Sequence, residues 1–554
     1  MGISNISGFK NKPLKTSLFT DSLFKESSRL YPISAPPHTP NMESYSVPNE
    51  IIVQICSYLC SHCQNPGVFP NSNTVEARIE KVTLARMCRA SKRLCSIAQP
   101  ILFHYYACGN LARSVHTEFF EHYAEWNRER WNLEDDKLAV FVRTLITRPD
   151  LASCVESLQL KGSGKQDVCT PELMKSLGDT GSALCFKLPT GWSWGGWTGK
   201  YPDDWMDEVK PGSFNENRLD FHKWLMAVAI ALTPRTETLM YMCEYIYELD
   251  WSTNTPPMVL PALKTLALRG AQGGDYYLFQ IHPFLTAAPN LQTLYALNCR
   301  GDAISSIILL SFDYNDGDPW VEDLAVSKLR KLVLDELPME AFEKLMERCV
   351  ELEDLVYYIH FWHDCPDITR AFSQTEKRLK KLCFGYLPDP VPTGYESVLD
   401  DEDYGNIPIV TSLREFTQLE ELVIDQALLY RKSDSSVDTG RLETLLPPSI
   451  RRVHFTYVYK SIMYEDLMYL ASVAPGSFPK LRSVKIGLVS PIPPERVEEI
   501  EHMKTVEPAF ADVGVHVSWE ENLMGPFLYT AIPGGGAGLR GNFCAICSSA
   551  ISLT

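Results

Sequence analysis

Two hydrophobic spacings divide the chain. Between Ser46 and Phe103 apolar residues recur at helical intervals: Ile51, Ile55 and Leu59 lie four apart, and Leu84, Met87, Leu94, Ile97 and Ala98 continue an apolar face. Pro48 stands where a first helical turn tolerates proline, and Pro100 is expected to end the helical block. Phe119, Phe120, Tyr123 and Trp126, followed by Leu138, Phe141, Val142 and Leu145, extend the helical period through a linker at 106–150.

Beyond that linker the pattern becomes a phrase, apolar-x-x-apolar-x-apolar. Clear copies are Val155-Leu158-Leu160, Leu263-Leu266-Leu268, Leu329-Leu332-Leu334, Leu379-Leu382-Phe384, Leu419-Leu422-Ile424, Ile450-Val453-Phe455 and Leu481-Val484-Ile486, with looser ones from Thr236, Leu291 and Leu352. The alternation places two side chains on one face of a short strand, and the first apolar residue anchors the turn into it. Amphipathic stretches between copies, such as Met339 to Arg348 and Glu465 to Val473, make each unit a strand plus a helix. The expected architecture is therefore α plus α/β: a small N-terminal helical bundle at 46–105, then an irregular strand–helix solenoid at 151–520.

Other segments read as loops or tails. Residues 1–45 are rich in Ser and Pro without a sustained apolar period, which predicts a disordered arm. Pro189 to Trp205, with Trp192, Trp194, Trp197 and Trp205, and Pro388 to Pro408, with the acidic run Asp400 to Asp403, should be loops. Residues 521–554, which include Gly534-Gly535-Gly536, should be a flexible tail.

Composition narrows the function. The 554-residue chain is 45% hydrophobic and 22% charged, which suits a folded protein. Its formal charge of −17 disfavours non-specific binding to nucleic acid or an anionic membrane, because phosphate contacts need clustered Lys and Arg. The longest apolar runs, Met226 to Leu232 and Ile304 to Leu310, fall well below the ~20 residues that span a bilayer. Sixteen Cys without a dense framework, and no secretory apolar segment, predict reduced thiols in cytoplasm or nucleus.

Chemistry is harder to assemble. Cys56, Cys60, His62 and Cys63 form a local cluster with a C-x-x-C pair, and Cys544 with Cys547 gives another, but neither has companion ligands nearby in sequence. His360, His363 and Cys365 lack an H-E-x-x-H context, and the glycine run lacks the Lys and Ser/Thr of a phosphate loop. No metal, cofactor or catalytic residue is expected.

The segment from Ser46 to Phe103 resembles an F-box, and the whole chain resembles the fungal F-box proteins with degenerate leucine-rich repeats. Pro48 and Glu50 match the family's Leu-Pro-x-Glu opening, with Val47 in place of Leu; Ile51, Ile55 and Leu59 match its first helix. Leu84, Met87, Cys88, Ser91, Lys92, Arg93 and Leu94 match its second half, and Ala98, Pro100, Leu102 and Phe103 its exit. The resemblance implies docking on a Skp1-type adaptor, and through it on a cullin and a RING protein, by Val47, Pro48, Glu50, Ile51, Ile55, Leu59, Leu84, Met87 and Leu94. It departs from the family in its long insert, residues 60–83, which reads as a loop.

A solenoid of this kind turns the side chains between its buried strand positions toward the concave face. That nominates Thr265, Arg269, Lys331, Asp335, Glu421, Asp425, Arg452, His454 and Lys485 for an unidentified protein target. The implied function is the non-catalytic substrate-recognition subunit of a ubiquitin ligase. The alternative is an interaction scaffold that joins no ligase.

Overall fold

The computed structural model describes residues 47–67, 69, 75–107, 138–161, 179, 224–243, 259–270, 276–277, 281–297, 299–300, 325–335, 337, 339–359, 371–372, 375–386, 410, 412–430, 439–458, 463–490 and 497–523. The chain forms two compact units, 1–49 and 50–554. Within the first, only residues 47–49 are described. The expected arm at 1–45, the Trp-rich and acidic loops, and the Cys544–Cys547 pair lie outside the described residues.

Four helices open the second unit: α1 (Asn49–Tyr58, whose first residue closes the preceding unit), α2 (Ser61–Gln64), α3 (Val75–Ala90) and α4 (Lys92–Leu102). Their core is Ile52, Cys56, Cys60, Leu84, Ala98 and Ile101, with Leu59, Met87, Leu94 and Ile97 packed against it. Ser91 separates α3 from α4 because its hydroxyl accepts the Leu94 amide at 3.1 Å, an N-cap worth about 1 kcal/mol.

Two expectations change here. The segment 60–83 is not all loop: it holds α2 and the first half of α3, the Asn, Pro and Gly that suggested a loop being confined to the stretch between those helices. Pro100 does not end α4, which runs to Leu102; so near a helix C-terminus the missing donor removes a single bond and the helix closes two residues later.

The rest of the unit is built on a twelve-stranded parallel sheet with its strands in chain order. These are β1 (Tyr105–Ala107), β2 (Ser157–Lys161), β3 (Thr238–Cys243), β4 (Thr265–Gly270), β6 (Thr293–Leu297), β8 (Lys331–Asp335), β9 (Asp354–Ile359), β10 (Lys381–Tyr386), β11 (Glu421–Asp425), β12 (Arg452–Val458), β13 (Ser483–Ser490) and β14 (His516–Leu523). The short strands β5 (Tyr276–Tyr277) and β7 (Cys299–Arg300) pair separately. Helices between strands are α5 (Leu138–Thr147), α6 (Pro149–Ala152), a helical stretch at 224–232, α7 (His282–Ala287), α8 (Met339–Arg348), α9 (Arg441–Leu445), α10 (Tyr464–Ser477), α11 (Val497–Lys504) and α12 (Val506–Asp512). The protein is thus a mixed α/β molecule.

Each of the ten phrases supplies one strand. Their first residues, from Val155 to Leu481, are buried, and the alternating pairs such as Leu266/Leu268, Leu332/Leu334 and Val484/Ile486 enter one continuous core with the helices. The interleaved residues Met240, Ala267, Tyr295, Val333 and Val423 belong to the opposite face and are not part of that core. Pairing begins in the turns: the His104 carbonyl accepts the amides of Glu156 at 2.8 Å and Ser157 at 3.0 Å, and the Glu156 carbonyl those of Glu237 and Thr238. The same step recurs down to the Arg482 carbonyl, which accepts the His516 amide at 2.9 Å.

The sheet also extends past the expected limits, since β1 precedes residue 151 and β14 ends at Leu523, inside the expected tail. β1 replaces the start of the expected helical linker, whose described remainder is α5 and α6.

Candidate functional site

Two faces of α1 have opposite fates. Ile52 and Cys56 point into the bundle, whereas Ile51, Ile55 and Tyr58, spaced at four and three residues along the other side, are 46%, 47% and 67% exposed. Val47, Pro48 and Glu50 are exposed as well. Ile51 and Ile55 are already about half covered, so burying the rest of each would contribute about half of the roughly 1.5–3 kcal/mol of a fully exposed side chain. The remaining residues expected at the docking surface sit deeper: Leu59, Met87 and Leu94 are partly buried against the bundle core, and Leu84 is interior at 2% exposure. Leu84 therefore holds α3 in the bundle rather than offering itself to a partner.

The residues expected to face a target all lie on strands. The side chains of Arg269 and Asp335 are outside the described residues; Lys331, Glu421, Arg452 and Lys485 sit on the sheet face opposite the core, as do the buried His454 and Asp425. Register adds what the sequence did not show, because the first strand residues line up as Lys331, Asp354, Lys381, Glu421 and Arg452 across five neighbouring strands. Lys331 Nζ lies 3.3 Å from Asp354 Oδ2, Lys381 Nζ lies 3.5 Å from Glu421 Oε1, and Arg452 Nη2 pairs with Glu421 Oε1. One residue earlier, Lys264–Glu237, Lys380–Glu353 and Arg451–Glu420 form a second series at 2.9, 2.9 and 3.3 Å.

This alternation lets charged side chains share a crowded sheet face, where like charges directly opposite would repel. Toward the other end of the strands, Thr456 donates to Asp425 Oδ1, and the Asp425 carboxylate lies over Gly385, where an added Cβ would stand 2.9 Å from Oδ2. Gly385 leaves the space the carboxylate needs.

Beneath α1 the fold assembles a third group. Cys60, wholly buried, stands immediately before α2, and Cys63 follows one turn later; the fold brings His104, 41 residues after Cys63, to 3.0 Å between its Nδ1 and the Cys63 sulfur. The ligand atoms of Cys60, Cys63 and His104 lie within 4.8 Å of one another, as do those of His62, His104 and Glu156. His62 is buried at 6% exposure, its Nδ1 3.4 Å from Glu156 Oε2 and its ring edge-on to His104 at 5.9 Å between centroids.

Hydrogen bonding from Cys63 pulls the Cys60 thiol down to about 4 against the opposing effect of burial, with His104 assisting. The same hydrogen bond, then burial and the Cys60 charge, push Cys63 up. Burial lowers His62 against the pull of the Glu156 carboxylate. The local Cys/His run was visible in the sequence, but His104 and Glu156 reach it only through the turns before β1 and β2, and no spacing signal announces that.

Compared with known proteins, the chain matches no family model and no curated protein.

Proposed function

We propose that the chain is the non-catalytic substrate receptor of a Skp1–cullin–F-box ubiquitin ligase. The outer face of α1 docks on a Skp1-type adaptor, which carries the cullin and RING protein. The strand–helix array, of the leucine-rich-repeat kind, presents the sheet face opposite its core to a protein target. The observation that carries this reading is the exposure of Ile51, Ile55 and Tyr58 on one side of a helix whose other side is already packed. The contribution is proximity: holding a target beside the ubiquitin donor raises the effective concentration of its lysines without a catalytic side chain here.

The test is co-expression of the full chain with a Skp1-type adaptor. The expected result is co-elution from size exclusion, lost at least tenfold in affinity when Ile51 and Ile55 are both changed to Asp, with an unchanged circular dichroism spectrum. Failure of the unaltered, folded chain to bind would defeat the reading. One observation favours a second reading, a scaffold outside any ligase: residues 60–83 hold α2 and half of α3, which places the two halves of the motif further apart than in the family. Target binding that persists in a chain indifferent to the adaptor would establish that alternative.

A further inference from the structure

The geometry points to a metal site in which Cys60, Cys63 and His104 bind a divalent cation of the zinc class. Thiolate and imidazole are the donors that such an ion takes, in structural sites above all. Around a tetrahedral zinc, Zn–S of about 2.3 Å and Zn–N of about 2.0 Å put ligand atoms roughly 3.5–3.8 Å apart. The three donor atoms here are within 4.8 Å of one another, with the Cys63–His104 pair at 3.0 Å, so adjustments of an ångström or less bring them to tetrahedral spacing and leave the fourth position to water.

The donors are also held in place before any ion arrives. Cys60 is held by complete burial at the start of α2, and Cys63 lies one turn along the same helix. His104 is anchored by its carbonyl, which takes two amides from the segment leading into β2. His62 and Glu156 stand beside His104 in the second group of donors, the His62 ring edge-on to it, where they can orient the imidazole as the partners of metal-bound histidines do. Glu156, 43% exposed at its side chain, opens that side to solvent and gives an ion its approach. Other bundle thiols do not join: Cys56 and Cys88 belong to the apolar core and to no donor group among the described residues.

A bound ion would tie α2 to the residue just before β1, closing the loop of 41 positions between Cys63 and His104. Because a structural ion binds the folded site and not the unfolded chain, its binding free energy adds to folding. The site is independent of adaptor docking and stands whether or not that occurs.

The experiment uses the full chain, expressed with zinc and purified under reductant without chelator. Elemental analysis should give about one zinc per chain. Cys60→Ser and Cys63→Ser should each lose tenfold or more of the metal, whereas Cys88→Ser should keep it and His104→Cys, which replaces imidazole by thiolate, should retain it. Since a ligand variant can misfold, the wild-type apo chain is also titrated with Co(II), which should produce thiolate-to-cobalt charge-transfer and tetrahedral d–d absorption. A folded wild-type chain that yields no cobalt–thiolate band overturns the site. So does undiminished zinc in the Cys60→Ser/Cys63→Ser double variant, or a Cys60–Cys63 disulfide that persists in reductant.

Discussion

Asp466 is wholly buried in the first turn of α10, yet each of its oxygens is used. Oδ2 accepts the Tyr430 hydroxyl at 2.7 Å; Oδ1 accepts the backbone amides of Gly440 at 2.6 Å and Arg441 at 3.2 Å, where α9 begins. Gly440 adopts φ of 110°, the left-handed region open to glycine, which turns its amide toward the carboxylate. Burial, and then Asp466 itself, hold the Tyr430 hydroxyl well above its ordinary range, so it stays a donor. Changing Asp466 to Ala strands one buried and two half-buried donors and should destabilise the chain by about 2–4 kcal/mol in urea unfolding. Asp466→Asn, which keeps one acceptor oxygen, should cost less. Equal stability of all three proteins would show that water replaces the carboxylate.

At the scale of elements, Glu421 stands between two cations in the charge series on the sheet. It is 7% exposed between Lys381 on β10 and Arg452 on β12, so removing it leaves two cations facing across one strand. Glu421→Ala should cost about 1–3 kcal/mol, and a double-mutant cycle with Arg452→Ala should recover part of that loss. Additive losses in the cycle would mean that the pair does not couple.

Ten strands were legible beforehand because two buried residues and one anchor leave a phrase in the sequence. β1 was not, since its three residues, Tyr105 to Ala107, are all buried and follow directly on the helical spacing of α4. β14 was missed for the opposite reason: Val517 and Trp519, which pair with Val484 and Ile486, are only half-buried on a strand paired on one side, and their pattern is weak. Register, and with it the charge series, depends on which residues become neighbours across strands far apart in sequence. Helix α1 was legible as an apolar stripe, but its spacing could not say that Ile52 and Cys56, rather than Ile51 and Ile55, would face inward. The Cys/His group was legible only in its local run, Cys60 to Cys63, because His104 and Glu156 arrive from the turns of the sheet.

At the scale of the molecule, β1 divides its three residues between two cores. Tyr105 and Ala107 are buried with the bundle helices, and Tyr106 stacks on Phe141 at 4.3 Å within the core of the sheet. Tyr106→Ala should therefore loosen both sides, raising hydrogen exchange in β2 and in α4 together, whereas a change in β13 such as Val484→Ala should be felt only at its neighbours. A local response to Tyr106→Ala would separate the two cores. The consequence reaches further than stability. Because β1 contributes to both cores, the described bundle helices and the described strands are joined through it, and in the proposed function a partner on α1 and a partner on the sheet would be held at a fixed bearing from each other. In the proposed ligase, the lysines within reach of the donor would then be selected by the rigid offset between two surfaces, as the length of a crane's arm decides where its load can land.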